Sequence, residues 1–179
     1  MTDLAQILSK DSLRIERVVN AAPDRIWEHL VNAKKRARWF CAGDDLRDVG
    51  QRFELHFNHA RITDDAPPAK YKQFDGTQPD FVSHGEVLAF EPPRLLKFAW
   101  EESEGKPSEV LFELTPQGGA TRLVITHAKL PNRKELIGVG SGWNAHLGVL
   151  EDELTGKPHR AFWADIARFE AELDRVVPQ

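Results

Sequence analysis

His146 stands three residues after Trp143 and four before Leu150, so on a helix the three lie close to one face. A histidine there can hydrogen-bond a ligand's carbonyl or hydroxyl, or act as a general base. The alternative is a core histidine bonded to a backbone carbonyl. His127, at the end of the strand-like run 121–127, has the same two readings. His56 and His59 are three apart, which on a strand sends them to opposite faces; a shared metal would require the chain to turn between them. Gly140-Ser141-Gly142 lacks the spacing of a nucleophile elbow and reads as a flexible start to a helix, with Ser141 as its cap. Gly138-x-Gly140 has no third glycine in register and is no dinucleotide fingerprint. Glu151-Asp152 reads as a solvated acidic pair. No catalytic set is complete, and no cofactor or metal is called for.

Composition removes several classes of function. Cys41 is the only cysteine, which excludes an intrachain disulfide and a multi-cysteine metal site. It reads as a small buried apolar residue. The net charge is -4, and the one dense basic cluster, Lys34, Lys35, Arg36 and Arg38, reads as a solvated helix face, so no nucleic acid is expected. No apolar run approaches the ~20 residues of a membrane span, and residues 1–18 lack a signal peptide's apolar core and cleavage site. The expectation is a cytoplasmic protein without membrane contact. At 179 residues, 41% of them hydrophobic, the chain has enough core for one domain and little surplus for a second.

The elements that must position these residues follow from two periodicities. Leu13, Ile15, Arg17 and Val19 alternate with their neighbours as a strand, ended by Asn20-Ala21-Ala22-Pro23. Pro23 suits the first turn of a helix whose buried stripe is Ile26, Trp27, Leu30 and Val31. A second short helix runs from Ala33 toward Trp39 and Phe40, with Asn32 as cap. Phe53, Leu55 and Phe57 form a strand. Residues 86–90 join 95–100, and 110–114 join 121–127, through short Pro- and Gly-containing turns. The sum is about six antiparallel strands, because a parallel sheet would need helices between successive strands. Residues 59–83 break the pattern with Pro67-Pro68, Asp75-Gly76 and Pro79, as a lid, a partner-binding excursion or a surface insertion. After Pro131, Trp143, Leu147, Leu150 and Leu154 share one helical face, closed by Gly156 and Pro158. A last helix carries Phe162, Ile166, Phe169, Leu173 and Val176, a stripe needing cover from the sheet, the preceding helix or another chain. Residues 1–12 read as a weakly ordered lead-in, with Leu4, Ile7 and Leu8 at helical spacing.

This order, with its particular motifs, resembles the START-like helix-grip (SRPBCC) superfamily, and within it the bacterial branch related to the activator of the 90-kDa heat-shock chaperone ATPase. The motifs are Ile15-Glu16-Arg17 into Ala22-Pro23-x-x-x-Trp27, Arg38-Trp39-Phe40, Gly85-Glu86-Val87 with Glu91-Pro92-Pro93-Arg94, Phe98-x-Trp100, Thr126-His127, and Gly142-Trp143-x-x-His146-Leu147-x-x-Leu150. They cover residues 13–156, with 157–179 as a helical extension of the same domain. The resemblance implies an α+β helix-grip fold: a curved antiparallel sheet wrapped around the long late helix, with two short helices after the first strand. It also implies a cavity between sheet and helix, lined by Trp39, Phe40, Phe53, Phe57, Phe98, Trp100, Phe112, Trp143, His146, Leu147 and Leu150. A pocket for a small hydrophobic ligand would measure roughly 300 Å³ or more. The superfamily spans lipid carriers, cyclases, receptors and co-chaperone modules, so the fold does not fix the function. Beside ligand binding stand a protein-interaction module with a chaperone partner, and a cyclase- or hydrolase-like enzyme using His146 or His127. Monomer and homodimer are both compatible with the sequence.

Overall fold

Period-two alternation sets the inner face of the sheet in the computed structural model, which describes residues 4–101 and 105–178; the lead-in reading of residues 1–3 falls outside them. Strand β1 spans Gln6–Ser9 and β2 Ser12–Val19, where Leu13, Ile15, Arg17 and Val19 are buried and alternate with more exposed neighbours. Helices α1 (Pro23–Val31) and α2 (Ala33–Arg36) follow, then β3 (Ala42–Gly43) and β4 (Arg52–Phe57). The remaining strands are β5 (Phe81–Glu91), β6 (Leu95–Glu101), β7 (Ser108–Gln117) and β8 (Ala120–Ala128). They form one antiparallel sheet in the order β1-β2-β8-β7-β6-β5-β4-β3. Helix α3 (Arg133–Thr155) packs on β2, and α4 (Phe162–Val176) packs on α3. Among the described residues no helix is long and apolar enough to cross a membrane.

The α+β helix-grip architecture is present, with eight strands where the sequence suggests about six. The two extra strands are short edges. In β1 the helical spacing of Leu4, Ile7 and Leu8 yields to the open edge of β2, whose backbone groups pair Ile7 with Leu13. Strand β3 is only two residues long, too short for a period to show. Its Gly43 has φ +118°, and a Cβ there would meet the Glu54 carbonyl oxygen at 2.1 Å, so only glycine allows the approach to β4.

Three local readings change. Helix α3 begins at Arg133, eight residues before Ser141, because Asn132 Oδ1 accepts from the Glu135 N–H at 2.9 Å and supplies the cap. Ser141 lies inside the helix and donates to the Ile137 carbonyl at 2.7 Å. The neighbouring Gly140 marks a crossing point, where a Cβ would come within 2.8 Å of Leu173 Cδ1 and 3.2 Å of Leu13 Cδ2. Arg36 is buried, not part of a solvated basic face: its guanidinium donates to the carbonyls of Leu30 (3.1 Å) and Asp44 (2.6 Å). Asp152 is also buried and forms a two-point pair with Arg160, with Nε to Oδ2 and Nη2 to Oδ1 both at 2.8 Å. The Arg160 hydrogen bonds hold the Asp152 carboxyl below its ordinary range. Cys41 is buried as expected, and burial pushes its thiol up to about 12.

The stripe of α4 is covered by α3, with Phe162, Trp163, Ile166, Phe169 and Leu173 buried; Val176 faces outward and Val177 takes the inward place. The free N–H groups at the start of α4 are satisfied from residues 63–65. Phe162 N donates to Thr63 Oγ1 at 3.2 Å, while Trp163 N and Ala164 N donate to Asp65 Oδ2 at 3.0 and 3.1 Å. The carboxylate also sits at the positive end of the helix dipole. Replacing Asp65 by Ala should therefore lower stability by about 1–2 kcal/mol in urea unfolding and speed amide exchange at 162–164, with Asp65→Asn intermediate. An Asp65→Ala protein as stable as the parent would show that the cap contributes nothing.

Candidate functional site

The residues expected around an interior are all buried: Trp39, Phe40, Phe53, Phe57, Phe98, Trp100, Phe112, Trp143, His146, Leu147 and Leu150. Phe40, just beyond α2, lies at the centre of the aromatic group. Its ring centroid is 4.9 Å from those of Trp143 and His146, 5.3 Å from Phe57, 5.4 Å from Trp39 and 6.0 Å from Trp100. Phe98 joins Phe53 (5.4 Å) to Phe112 (6.0 Å) and Trp100 (6.3 Å). Apart from the stacked Trp39–Phe40 pair, these rings meet edge to face or tilted, a geometry that their quadrupoles favour. They fill the space that they were expected to line. Among the described residues a void of about 10 Å³ is bounded by Trp39, Phe40, Phe98 and Phe112 with Leu30, Arg36, Leu46, Leu55 and Leu96. This void is far smaller than the expected pocket of ligand size. Phe53, Phe57, Trp100, Trp143, His146, Leu147 and Leu150 do not border the void.

Polar groups cross this interior as a connected ladder. Trp143 Nε1 donates to His127 Nδ1 at 3.0 Å, so the hydrogen of His127 is on Nε2, which donates to Ser108 Oγ at 2.8 Å. Ser108 Oγ donates in turn to the Trp100 carbonyl at 3.3 Å, and Trp100 Nε1 donates to Ser83 Oγ at 2.8 Å. Of the two readings of His127, the geometry matches the structural one: both ring nitrogens are engaged in holding α3 to β7 and β8. His146 is likewise engaged on both sides. Its Nδ1 is 2.8 Å from the Trp39 carbonyl, and its Nε2 is 3.3 Å from His59 Nε2.

His59 is the residue that sequence reasoning set aside. The period-two argument put it opposite His56, but the strand stops at Phe57 and the chain turns through a 3-10 segment, His59–Arg61, capped by Asn58. That turn carries His59 inward among Phe74, His146, Phe162 and Trp163, with ring centroids 4.8–5.2 Å away. The only sequence signal was Asn58 itself, a residue that favours leaving a strand. Burial lowers the pKa of His59 to about 2, with neighbouring His146 adding to the shift; burial likewise lowers His146 to about 4. Both rings are neutral at physiological pH. Among the described residues no group of three or more His, Cys, Asp or Glu is placed to hold a metal ion.

Over this pair lies the segment after β4. A second 3-10 stretch, Ala69–Phe74, contains no buried residue, but Tyr71 and Phe74 rest partly buried on the core. Tyr71 stacks on Trp163 at 5.4 Å, its hydroxyl donates to Glu170, and Lys70 pairs with Glu170 at 2.5 Å. Burial and the Glu170 carboxylate raise the Tyr71 pKa, so the phenol keeps its proton.

The fold and site define a helix-grip domain with an aromatic interior. A family model for "Activator of Hsp90 ATPase homolog 1-like protein" matches residues 20–155, and the chain belongs to that family. A Bordetella parapertussis protein solved by NMR is 39% identical, with a TM-score of 0.81 over 97% of this chain and 90% of that one. CalU16 from Micromonospora echinospora is 23% identical, with a TM-score of 0.71 over 94% of this chain and 89% of its own. The Aha1 dimer from Colwellia psychrerythraea is 16% identical, with a TM-score of 0.61 over 80% of this chain and 95% of its own. The last two likenesses speak for the fold alone. A search of curated proteins finds no match.

The buried histidines predict a pH dependence with a definite sign. Both folded pKa values lie below the ordinary 6.5, so the unfolded chain binds more protons and stability falls as the pH drops. Their contribution is complete above about pH 7 and is lost as the pH falls below 6.5, down to about pH 4 for His146 and about pH 2 for His59. Urea unfolding should lose about 2–4 kcal/mol between pH 7 and pH 5. His59→Phe should roughly halve that loss, leaving the share of His146; an unchanged slope would show that His59 does not remain neutral in the fold.

Proposed function

We propose that the chain binds a small, largely apolar molecule between the sheet and α3, admitted when residues 69–74 move outward. The observation that carries this reading is the unbroken run of ring contacts from half-buried Tyr71 and Phe74, through His59 and His146, to Phe40 beside the void. Pockets for apolar ligands are made of such side chains with a few polar groups among them. A void of about 10 Å³ holds no more than about one water, so binding requires displacement of the cover. Displacing Ala69–Phe74 alone has a modest cost, since that stretch has no buried residue and is held by contacts at the surface of α4, whereas buried His59 and Ile62 stay in place. The enzyme reading has less support, because His127 and His146 already use both ring nitrogens.

Family membership favours one other reading, a co-chaperone module that acts through its surface on a 90-kDa heat-shock chaperone. The domain match is at residues 20–155, and a closed interior suits it.

Two measurements separate the readings. Native mass spectrometry of protein purified from its own host should show a retained small molecule that denaturation removes. Hydrogen exchange at residues 61–80 should be slower in that loaded protein than in the stripped protein, with the core strands unchanged. Stripped and loaded preparations of identical mass and exchange, together with stimulation of the host chaperone's ATPase at micromolar protein, would replace ligand binding by the co-chaperone reading.

A further inference from the structure

Two buried side-chain nitrogens among the described residues have no hydrogen-bond partner, Arg36 Nε and His59 Nδ1. Arg36 borders the void, but its guanidinium already donates from both terminal nitrogens to the Leu30 and Asp44 carbonyls and faces the Cys41 thiol. His59 has no such role on its free side. Its hydrogen position follows from its neighbours. The Trp39 carbonyl can only accept, so His146 Nδ1 carries the hydrogen and His146 Nε2 is bare. The 3.3 Å contact then requires the hydrogen of His59 on Nε2, donated to His146. His59 Nδ1 is left as a bare acceptor on a residue only 6% exposed, within an apolar surround of Phe57, Phe74, Phe162 and Trp163. A buried acceptor without a donor is an uncommon and unfavourable arrangement.

We infer that His59 Nδ1 is the polar contact of the interior site and accepts a hydrogen bond from a hydroxyl of the bound molecule, which is an uncharged phenol or alcohol. The inference rests on the ligand-binding reading and specifies the chemistry of that ligand. A carboxylate offers the bare nitrogen only lone pairs, and a hydrocarbon leaves it unpaired. Because burial holds the ring neutral at physiological pH, Nδ1 does not become a donor that would welcome an anion. His146 acts as a positioning residue, since its bond to the Trp39 carbonyl fixes which nitrogen of His59 is free. Phe74, half-buried and edge-on to His59 at 4.9 Å, is the ring whose outward swing makes room.

The test compares 2-naphthol, 2-methylnaphthalene and 2-naphthoate, which share a ring system and differ in the group offered to His59. Titration of the parent protein by calorimetry should show 2-naphthol binding roughly tenfold more tightly than 2-methylnaphthalene, with 2-naphthoate weaker still. In His59→Phe that preference should collapse to about twofold or less. His59→Phe also removes the donor to His146 and can unfold the chain. The parent's own histidine resonances therefore provide the second readout: in nitrogen-15 spectra the His59 Nδ1 signal should move upfield with 2-naphthol and stay in place with 2-methylnaphthalene. Equal binding of the two with an unmoved Nδ1 overturns the anchor while leaving the interior site standing. If none of the three binds, the anchor and the ligand-binding reading fall together.

Discussion

The hydrogen bond from the Trp143 indole to His127 Nδ1, 3.0 Å long, ties the long helix to the sheet together with the buried bond from the Arg17 guanidinium to Asn144 Oδ1 at 2.8 Å. A tryptophan brings a large apolar surface and one N–H that must be satisfied once water is excluded. Here the acceptor is a histidine whose own N–H is received by Ser108, and Ser108 in turn closes on the Trp100 carbonyl. Every member of this ladder has a partner, so the interior carries polar groups without an open desolvation penalty. Without that bond the helix would present a buried, unpaired donor to the sheet, and the ring contacts around Phe40 would lose their fixed floor.

From that floor the remaining elements are placed by a few more pairs. The Asp152–Arg160 clasp sets the turn out of α3 so that α4 doubles back along it. Gly140 lets Leu173 of α4 and Leu13 of β2 approach the same turn of α3. The aromatic pair Phe162 and Trp163 then covers His59 and His146, and the segment after β4 is fastened over them through Asp65, Tyr71 and Lys70.

Where one periodicity governed a whole element, the sequence was readable. The alternation of β2 and β4 and the stripes of α1 and α4 each state a buried face, and the core residues named from them are buried, apart from half-buried Val31 and exposed Val176. Edges were harder, since β1 and β3 owe their existence to a neighbour's unpaired backbone and not to their own pattern. Glycines inside α3 read as a flexible helix start because propensity disfavours them in a helix interior, whereas Gly140 sits where Leu173 and Leu13 crowd the helix. Charges misled twice: Arg36 and Asp152 are buried because carbonyls and a guanidinium compensate them, partners that lie up to eight residues away and leave no local signature. His59 was lost to a single turn beyond Phe57, after which strand geometry no longer applied. The aromatic interior was legible in kind; that its rings would fill it depends on volumes that residue types alone do not report.

The capping of α4 by Thr63 and Asp65 has a consequence for how the molecule responds to anything that touches it. The cap is not local to the helix: its oxygens come from almost one hundred residues earlier in the chain. The start of α4 and the cover over His59 are therefore coupled, since lifting either leaves the N–H groups of α4 without their acceptors. Such coupling is reciprocal. A molecule held beneath the cover would tighten the last helix, and a protein or second copy gripping the outer face of that helix would raise the threshold for opening, with neither needing to contact the other.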